Sequence, residues 1–371
     1  MNHHFDAIVA GAGIVGAACA ASLARTGMHV ALVDRGGVGS ETTSAGMGHI
    51  VVLDDSEAQF ALTRYSQRLW QELAPTLAAE AEYEALGTVW VAANDEELAE
   101  AERKSAYYNE RGVPAKMLSS RELAEYEPNL RAGLAGGLFM PQDAIVNPPA
   151  VAMHLVTLAL AHGAELLLGC KINSLRRGEA VLEKGGVRLT APLLINATCG
   201  WATDFDPGLP IRKRKGHLVL TEKYPDLVRH QVAELGYLKS THAAESDSVV
   251  FNVQPRPNGQ ILIGASRQYD NEDTGVDKRI VDALLKRAAQ YMPALATKKM
   301  ATTRVGFRAA TPDKLPLIGP VPDDETLWLA TGHEGLGITT SLGTAALIAA
   351  ALTGLKLEIP IEPYLPARFD N

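Results

Sequence analysis

The hexapeptide Gly11-Ala12-Gly13-Ile14-Val15-Gly16, with Asp34 about twenty positions on, has the residue types and spacing of a dinucleotide-binding turn. Gly11 permits a tight turn, and Gly13 lets the backbone approach a pyrophosphate held at a helix N-terminus. Gly16 lets the helix and strand pack closely, and Asp34 offers a carboxylate to a pair of ribose hydroxyls. The chemistry is the grip on a dinucleotide; the hexapeptide alone does not say which one.

That grip needs a strand entering the turn and a helix leaving it. Phe5–Ala10 reads as the strand, Ala17–Thr26 as the helix, and Met28–Val33 as a second strand ending in Asp34. A Gly/Ser/Thr-rich loop follows over Gly36–Gly48. Further along, residues 56–83 read as helical, Thr88–Ala92 as a strand and Asp95–Gly112 as a charged helix. Ser119–Leu123 opens a helix that stops before Pro128, and Ala135–Phe139 is a strand. The helix Pro149–His162 ends at Gly163, and strands are expected around Glu165–Ile172, Ala180–Glu183, Val187–Leu189 and Leu193–Ala197. A β-rich stretch runs through His217–Thr221, Gly236–Leu238, Ser248–Val253 and Gln260–Gly264, then a helix over Val276–Tyr291. The last seventy or so residues return to a βα pattern, with a strand over Leu327–Gly332 and a helix from about Ile338.

This order predicts an α/β protein: a discontinuous Rossmann-like domain and a second α+β domain built on an antiparallel sheet. The expected boundaries are 1–85, 144–214 and 300–371 for the dinucleotide domain, and 86–143 and 215–299 for the substrate domain.

Composition narrows the function. An apolar fraction of 47% and a charged fraction of 21% are ordinary for a globular chain, and the 371 residues suit two domains. A formal charge of −8 and 6% aromatics argue against nucleic acid as partner. Cys19, Cys170 and Cys199 are an odd number without C-x-x-C pairing, which predicts no disulfide framework and no metal site. They are expected to be small buried residues, in a cytoplasmic protein. No uninterrupted apolar stretch is long enough for an integral membrane segment. The basic run Arg212-Lys213-Arg214-Lys215 is short, and a solvated or interdomain role is expected for it.

Several further segments carry a family resemblance. Thr42-Thr43-Ser44-Ala45-Gly46-Met47-Gly48 is similar to a second glycine-rich loop, and Asp143-Ala144-Ile145-Val146-Asn147-Pro148 to a "D-G-x-V-D-P" turn. Asn196-Ala197-Thr198-Cys199-Gly200-Trp201 resembles an "N-A-x-G-x-W" strand end. Gly306-Phe307-Arg308 with Pro312–Gly319, and Gly332-His333-Glu334-Gly335-Leu336-Gly337, complete the set. Together they resemble the D-amino-acid-oxidase family of FAD-dependent oxidoreductases over essentially the whole chain, in particular its glycine-oxidase-like and D-hydroxyproline-dehydrogenase-like members.

The resemblance implies FAD, held non-covalently because Ala309–Lys314 contains no cysteine for a tether. It implies cofactor contacts from Gly11, Gly13, Ile14, Val15, Gly16, Asp34, Arg35, Thr42, Thr43, Ser44, Gly46, Met47 and Gly48. Later contacts would come from Ile172, Ala197, Gly200, Trp201, Gly332, Glu334, Gly335, Leu336, Gly337, Ile338 and Thr339. Glu334 is expected to act through its backbone, with its carboxylate turned elsewhere. Arg308 is the implied anchor for a substrate carboxylate, which a guanidinium matches bidentately. His49 and His333 are the catalytic candidates nearest the flavin, against a structural role for His333 and a passive one for His49.

The implied reaction oxidises the C–N bond of a small amino or imino acid to an imine by hydride transfer to flavin N5. A cyclic imino acid such as cis-4-hydroxy-D-proline leads, and glycine, sarcosine or a D-amino acid follows. Gly335 and Leu336, where glycine-oxidase-like chains often carry a basic residue, leave room for a bulkier substrate, and Ala309 stands where proline is usual. Homo-oligomers or electron-accepting partner subunits are compatible with the resemblance, as is a non-catalytic or electron-transferring flavin subunit. A nicotinamide enzyme sharing only the hexapeptide is the remaining alternative.

Overall fold

The computed structural model describes residues 3–236, 247–269 and 271–369. The chain starts with β1 (Ala7–Ala10), α1 (Ile14–Arg25), β2 (Val30–Asp34), β3 (His49–Ile50) and α2 (Glu57–Leu73). Next come β4 (Thr88–Ala92), α3 (Asp95–Glu110), β5 (Lys116–Ser119), α4 (Ser120–Tyr126), β6 (Gly136–Met140) and β7 (Ala144–Ile145). The middle holds α5 (Pro148–Ala161), β8 (Glu165–Leu168), β9 (Ile172–Arg176), β10 (Glu179–Leu182), β11 (Arg188–Thr190) and β12 (Leu193–Asn196). Then follow β13 (Arg212–Lys223), β14 (Gln231–Glu234), β15 (Ser248–Pro255), β16 (Gln260–Arg267) and α6 (Lys278–Tyr291). The chain closes with β17 (Met300–Ala310), β18 (Leu317–Val321), β19 (Asp324–Thr331) and α7 (Gly337–Thr353). Contacts gather these elements into two units, one of Met1–Ala81, Asn147–Lys213 and Phe307–Asn371, the other of Glu82–Val146 and Arg214–Gly306.

The first unit is built on a six-stranded sheet in the order β18-β19-β12-β1-β2-β8. Its β19-β12-β1-β2-β8 core is parallel, and β18 adds an antiparallel edge. β1 and β12 are buried throughout and read as continuous apolar runs, as strands covered on both faces do. Helix α1 packs on α5 and α7, and α2 packs on α7. Phe5, Ile8, Ala31, Val33, Leu175, Leu189 and Leu194 form an apolar cluster joining this sheet to the three-stranded sheet β11-β10-β9. After β1 the chain turns through α1 to β2 on one side, while β12 lies on the other. The carboxyl ends of β1 and β12 therefore flank a topological switch point, where open α/β sheets bind ligands.

The second unit has an eight-stranded sheet in the order β17-β13-β16-β15-β14-β4-β6-β5. It is mixed: most described pairings are antiparallel, but β14 runs parallel to β4. Helix α6 covers one face, where Val281, Ala288 and Tyr291 meet Val89, Val232, Phe251, Val253, Ile261 and Ile263. Glu234 is buried on this face. Its carboxylate accepts hydrogen bonds from Phe251 N (2.5 Å), Tyr291 Oη (2.9 Å) and Arg287 Nε (3.1 Å), and Arg287 also pairs with it through Nη2. Four donors on one carboxylate tie α6 to β14 and β15.

Four expectations change. The helix expected over 56–83 stops at Leu73, because Pro75 cannot continue it and short 3₁₀ turns follow. The strand expected at Gly236–Leu238 forms earlier, at Gln231–Glu234, where pairing with β4 and β15 is available; Tyr237 and Leu238 lie outside the described residues. The basic run divides: Arg212 is exposed and Lys213 half-buried, whereas Arg214 and Lys215 are buried in β13, and the boundary between the two units falls between Lys213 and Arg214. Lys215 exchanges backbone hydrogen bonds with Gln268 at 3.0 and 2.9 Å. Of the cysteines, Cys19 is buried, its thiol pushed up to about 12 by desolvation, whereas Cys170 and Cys199 are only half-buried. No helix among the described residues is long and apolar enough to cross a membrane.

Replacing Arg287 by Met leaves the buried Glu234 charge with its neutral donors only. A loss of about 1–3 kcal/mol is expected in urea unfolding, and Glu234→Gln in the Arg287→Met background should recover part of it, because it removes the charge left without a counter-ion.

Candidate cofactor and active site

The hexapeptide fits because the chain is crowded there. A Cβ on Gly16 would stand 1.8 Å from the Gly11 carbonyl oxygen, and one on Gly11 would stand 2.7 Å from the Ala197 oxygen. Gly11 also has a φ of +103°, a left-handed conformation that favours glycine. Ala197 N donates to Ala10 O at 2.9 Å, which holds the end of β12 against β1. These contacts start α1 directly at the carboxyl ends of β1 and β12. Gly13 is its N-cap, with no side-chain cap and no acid in the first turn. By contrast, α2, α3, α4 and α6 are capped by Ser56, Asn94, Ser119 and Asp277. Apart from the Ile14 N–H, which goes to Thr43 Oγ1, the start of α1 is left to partners with negative charge.

Asp34 closes the same turn. Its carboxylate accepts from Ala12 N and Gly36 N, both at 2.7 Å, and a carboxylate keeps further lone pairs for a ribose. Arg35 forms a fork on Glu41, with Nε and Nη2 at 2.8 Å, and its guanidinium lies 4.4 Å from the Trp201 ring centroid. Gly200 packs beside Lys213, whose Cγ would stand 3.1 Å from an added Cβ. Ile172 belongs to the apolar cluster beneath the sheet.

The second glycine-rich loop is sewn to both neighbours. Thr43 Oγ1 accepts from Ile14 N at 3.0 Å, and Thr42 Oγ1 donates to Phe307 O at 2.9 Å. A Cβ on Gly46 would stand 2.5 Å from Ile338 Cδ1, so the loop lies against the first turn of α7. Ser44 serves the loop itself, donating to Ser40 O and Glu41 O. Met47 is buried, and Gly48 takes a φ of +88°. Thr339 Oγ1 donates to His49 O at 2.8 Å, placing β3 beside α7.

The turn at 332–337 brings the last motif home. Gly332 has a φ of +76°, Ala310 bridges His333, and Glu334 N donates to Ala309 O at 2.9 Å. This fixes the turn to the end of β17, one residue from Arg308. A Cβ on Gly335 would stand 3.8 Å from Arg308 Nε, so the arginine side chain passes over a position without a side chain. Glu334 turns its carboxylate onto Gly335 N at 2.6 Å. Leu336 is the N-cap of α7, again with no side-chain cap and no acid in the first turn. A Cβ on Gly337 would stand 3.9 Å from Val15 Cγ2. The open ends of α1 and α7 are therefore neighbours.

His333 is 7% exposed, and its Nε2 lies 2.9 Å from Thr344 Oγ1 in the second turn of α7. Burial brings its pKa down to about 3. An imidazole held neutral in this way takes up no proton near neutrality and has the geometry of an anchor for the turn.

Trp70 was not a sequence candidate. It is fully buried in α2, and its Nε1 donates to Thr339 O at 2.9 Å, steadying the first turn of α7. The available signal was a large polar-tipped residue on the apolar face of an amphipathic helix, which needs a partner when buried. Cys199 was expected only as a small buried residue. It takes a φ of +56°, its Sγ lies 3.7 Å from Phe307 O, and its carbonyl accepts from Thr331 Oγ1 at 2.9 Å.

Three separated motifs and a parallel sheet thus converge on the ends of two open helices. A family model described as FAD dependent oxidoreductase (DAO) matches residues 6–351. The chain belongs to this family. FAD is therefore the dinucleotide, and the nicotinamide alternative falls. Glycine oxidase of Pseudomonas aeruginosa is 29% identical, over 97% of this chain and 98% of that protein. Hydrogen cyanide synthase subunit HcnC of the same organism is 28% identical, over 100% of this chain and 97% of that protein. The crystal structure of glycine oxidase from Geobacillus kaustophilus superposes with a TM-score of 0.88 at 26% identity, covering 99% of each chain. The family's sheet-based FAD domain and second sheet-rich domain correspond to the architecture found. The site passes the test for the group: crowded glycines, uncapped helix starts and no acid in either first turn suit a phosphate-bearing cofactor.

Two outcomes follow. Gly16→Ala places a methyl group on the Gly11 carbonyl, so the purified variant is expected to carry less than a tenth of the native flavin absorbance per chain. For His333, the folded value lies below the unfolded value of about 6.5, so between pH 6.5 and 3 the unfolded chain binds the extra proton. Stability must rise with pH in this window, by up to about 1.4 kcal/mol per unit. Melting temperatures across that range should show a shallower slope for His333→Gln than for the native protein.

Proposed function

We propose that the protein oxidises the C–N bond of a small amino or imino acid to an imine, with Met1–Ala81, Asn147–Lys213 and Phe307–Asn371 as the FAD-binding domain and the other unit as the substrate domain. The observation that carries this reading is Arg308, held over Gly335 by the pairing of the 332–337 turn with the end of β17. A guanidinium fixed there offers a planar, permanently charged fork for a carboxylate. FAD, bound without a covalent tether, supplies the two-electron acceptor.

The chain's own residues do the rest. Arg308 orients the substrate through its carboxylate. The uncapped first turn of α7 presents backbone N–H groups and the positive end of the helix, which favour negative charge beside them. His333, buried and neutral, holds the turn and moves no proton. The form oxidised is the neutral amine, and His49 lines the site with its backbone tied to Thr339. Cis-4-hydroxy-D-proline is the leading substrate; glycine, sarcosine and D-amino acids follow. The absence of a basic side chain at Gly335 and Leu336 supports a substrate larger than glycine.

A second reading is that the chain works as a flavin subunit that passes electrons to partner subunits, in the cytoplasm. The full-length likeness to HcnC, by name a subunit of hydrogen cyanide synthase, supports it.

Anaerobic mixing with cis-4-hydroxy-D-proline, D-proline, sarcosine, glycine and D-alanine tests both. Bleaching of the flavin by at least one imino or amino acid is expected, and none by any of them sinks the proposal. Reoxidation by air in seconds marks an oxidase; persistence until a dye is added marks a dehydrogenase. Arg308→Ala should keep FAD and lower kcat/KM for carboxylate substrates about 10- to 150-fold, since hydrogen bonds to charged groups contribute ~1.5–3 kcal/mol. Unchanged constants would remove Arg308 from the site.

A further inference from the structure

Helix α2 grips α7 along one line. Leu62, Ser66 and Trp70 stand four residues apart, so they share a face of α2, and all three are buried. Trp70 Nε1 donates to Thr339 O at 2.9 Å in the first turn of α7. One turn further on, a Cβ on Gly343 would overlap Ser66 Oγ and stand 3.1 Å from Leu62 Cδ1. The glycine lets the two helices approach closely, and the indole N–H fixes how far α7 slides along α2. Close approach alone leaves that sliding free; a directed hydrogen bond does not.

Thr339 is held a second time through its side chain. Its Oγ1 donates to His49 O at 2.8 Å and accepts from Val51 N at 3.4 Å. The carbonyl and hydroxyl of one residue thus tie the first turn of α7 to α2 and to the segment at β3. That residue lies two positions after Gly337, the first residue of a helix with no side-chain cap and no acid in its first turn. The field of a helix end falls off within one turn, so its effect on a neighbouring charge depends on where that turn stands. A buried indole N–H needs a partner, but any carbonyl on α7 would satisfy it. The one it takes belongs to the open end.

We propose that Trp70 is a positioning residue for flavin reduction: by seating the start of α7, it sets how strongly the protein favours negative charge on the reduced flavin. This rests on the placement of that start beside the flavin, part of the reading of the protein as an amino- or imino-acid oxidoreductase. It adds which residue outside the site governs the placement. Trp70 acts through Thr339 and brings no charge of its own. A helix start that stabilises charge on the reduced flavin raises its midpoint potential, and loosening that start lowers it.

The test is the midpoint potential of the FAD-loaded protein, measured anaerobically against indicator dyes with no amino acid present. Trp70→Phe keeps an aromatic ring and removes the donor. Its potential is expected to fall by about 15–30 mV, a three- to tenfold loss of preference for reduced over oxidised flavin in a two-electron couple. Tyr364→Phe is the control. Tyr364 is buried, and its Oη donates to Ala58 O at 2.7 Å, at the opposite end of α2 from Trp70. Its removal costs α2 a buried hydrogen bond and should leave the potential unchanged. An unchanged potential in Trp70→Phe, or an equal fall in Tyr364→Phe, overturns the inference. Where Trp70→Phe does not fold, Gly343→Ala, which drives α7 away from Ser66, carries the test: the same fall supports the inference and no change overturns it. Loss of FAD or of folding in both variants shows that these residues serve the fold and also overturns it. Leu336→Asp puts an acid at the open start itself. If it lowers the potential while Trp70→Phe does not, the placement of α7 stands and only the role of Trp70 falls. If it has no effect, the placement fails and the inference with it. Bleaching by amino or imino acids is read separately, so C–N oxidation stands or falls on its own result.

Discussion

The first unit depends on one close approach: the Gly11 carbonyl lies so near Gly16 that a Cβ there would be 1.8 Å from its oxygen. Everything later in the chain is placed with respect to that contact. Because α1 starts against β1, its first turn reaches Thr43 of the second loop, whose hydroxyl accepts from Ile14 N. That loop then meets Ile338 through Gly46, and Thr42 fastens the Phe307 carbonyl at the end of β17. A side chain at Gly16 would push α1 outward and move each of these partners. Two glycines therefore position residues three hundred places away in sequence.

The same geometry explains why the starts of α1 and α7 are left open. A helix start exposes backbone N–H groups that a Ser, Thr, Asp or Asn cap ordinarily satisfies. Helices α2, α3, α4 and α6 follow that rule. Helix α5 also lacks a side-chain cap, but Pro148 and Pro149 remove two of its exposed N–H groups. Helices α1 and α7 have neither, and Gly337 beside Val15 brings their starts together. Leaving both uncapped costs local stability, which an anionic cofactor offsets when it binds. His333 fits this arrangement as a buried neutral anchor: a charged imidazole there would be disfavoured by desolvation.

Much of this was legible in the sequence because it is local. The hexapeptide, the helix after Ser119 with its capping box, the strand Thr88–Ala92 and the Gly163 helix stop each follow from residues a few positions apart. Legibility failed where a partner far along the chain decides. β14 forms at Gln231–Glu234 because β4 and β15 pair with it, which no local pattern shows. Lys215 is buried although its neighbours are basic, because its strand partner is Gln268. Trp70 matters through a carbonyl in α7, a partner far along the chain.

Recognition of a substrate carboxylate puts a particular demand on the protein. The carboxylate keeps its charge, so its receptor must be a cation that stays charged at any working pH, and a guanidinium meets that demand with a planar fork. Arg308 therefore asks only whether a ligand has a carboxylate. Discrimination among carboxylates must come from other groups, because a fork that reads the part all candidate substrates share cannot tell them apart.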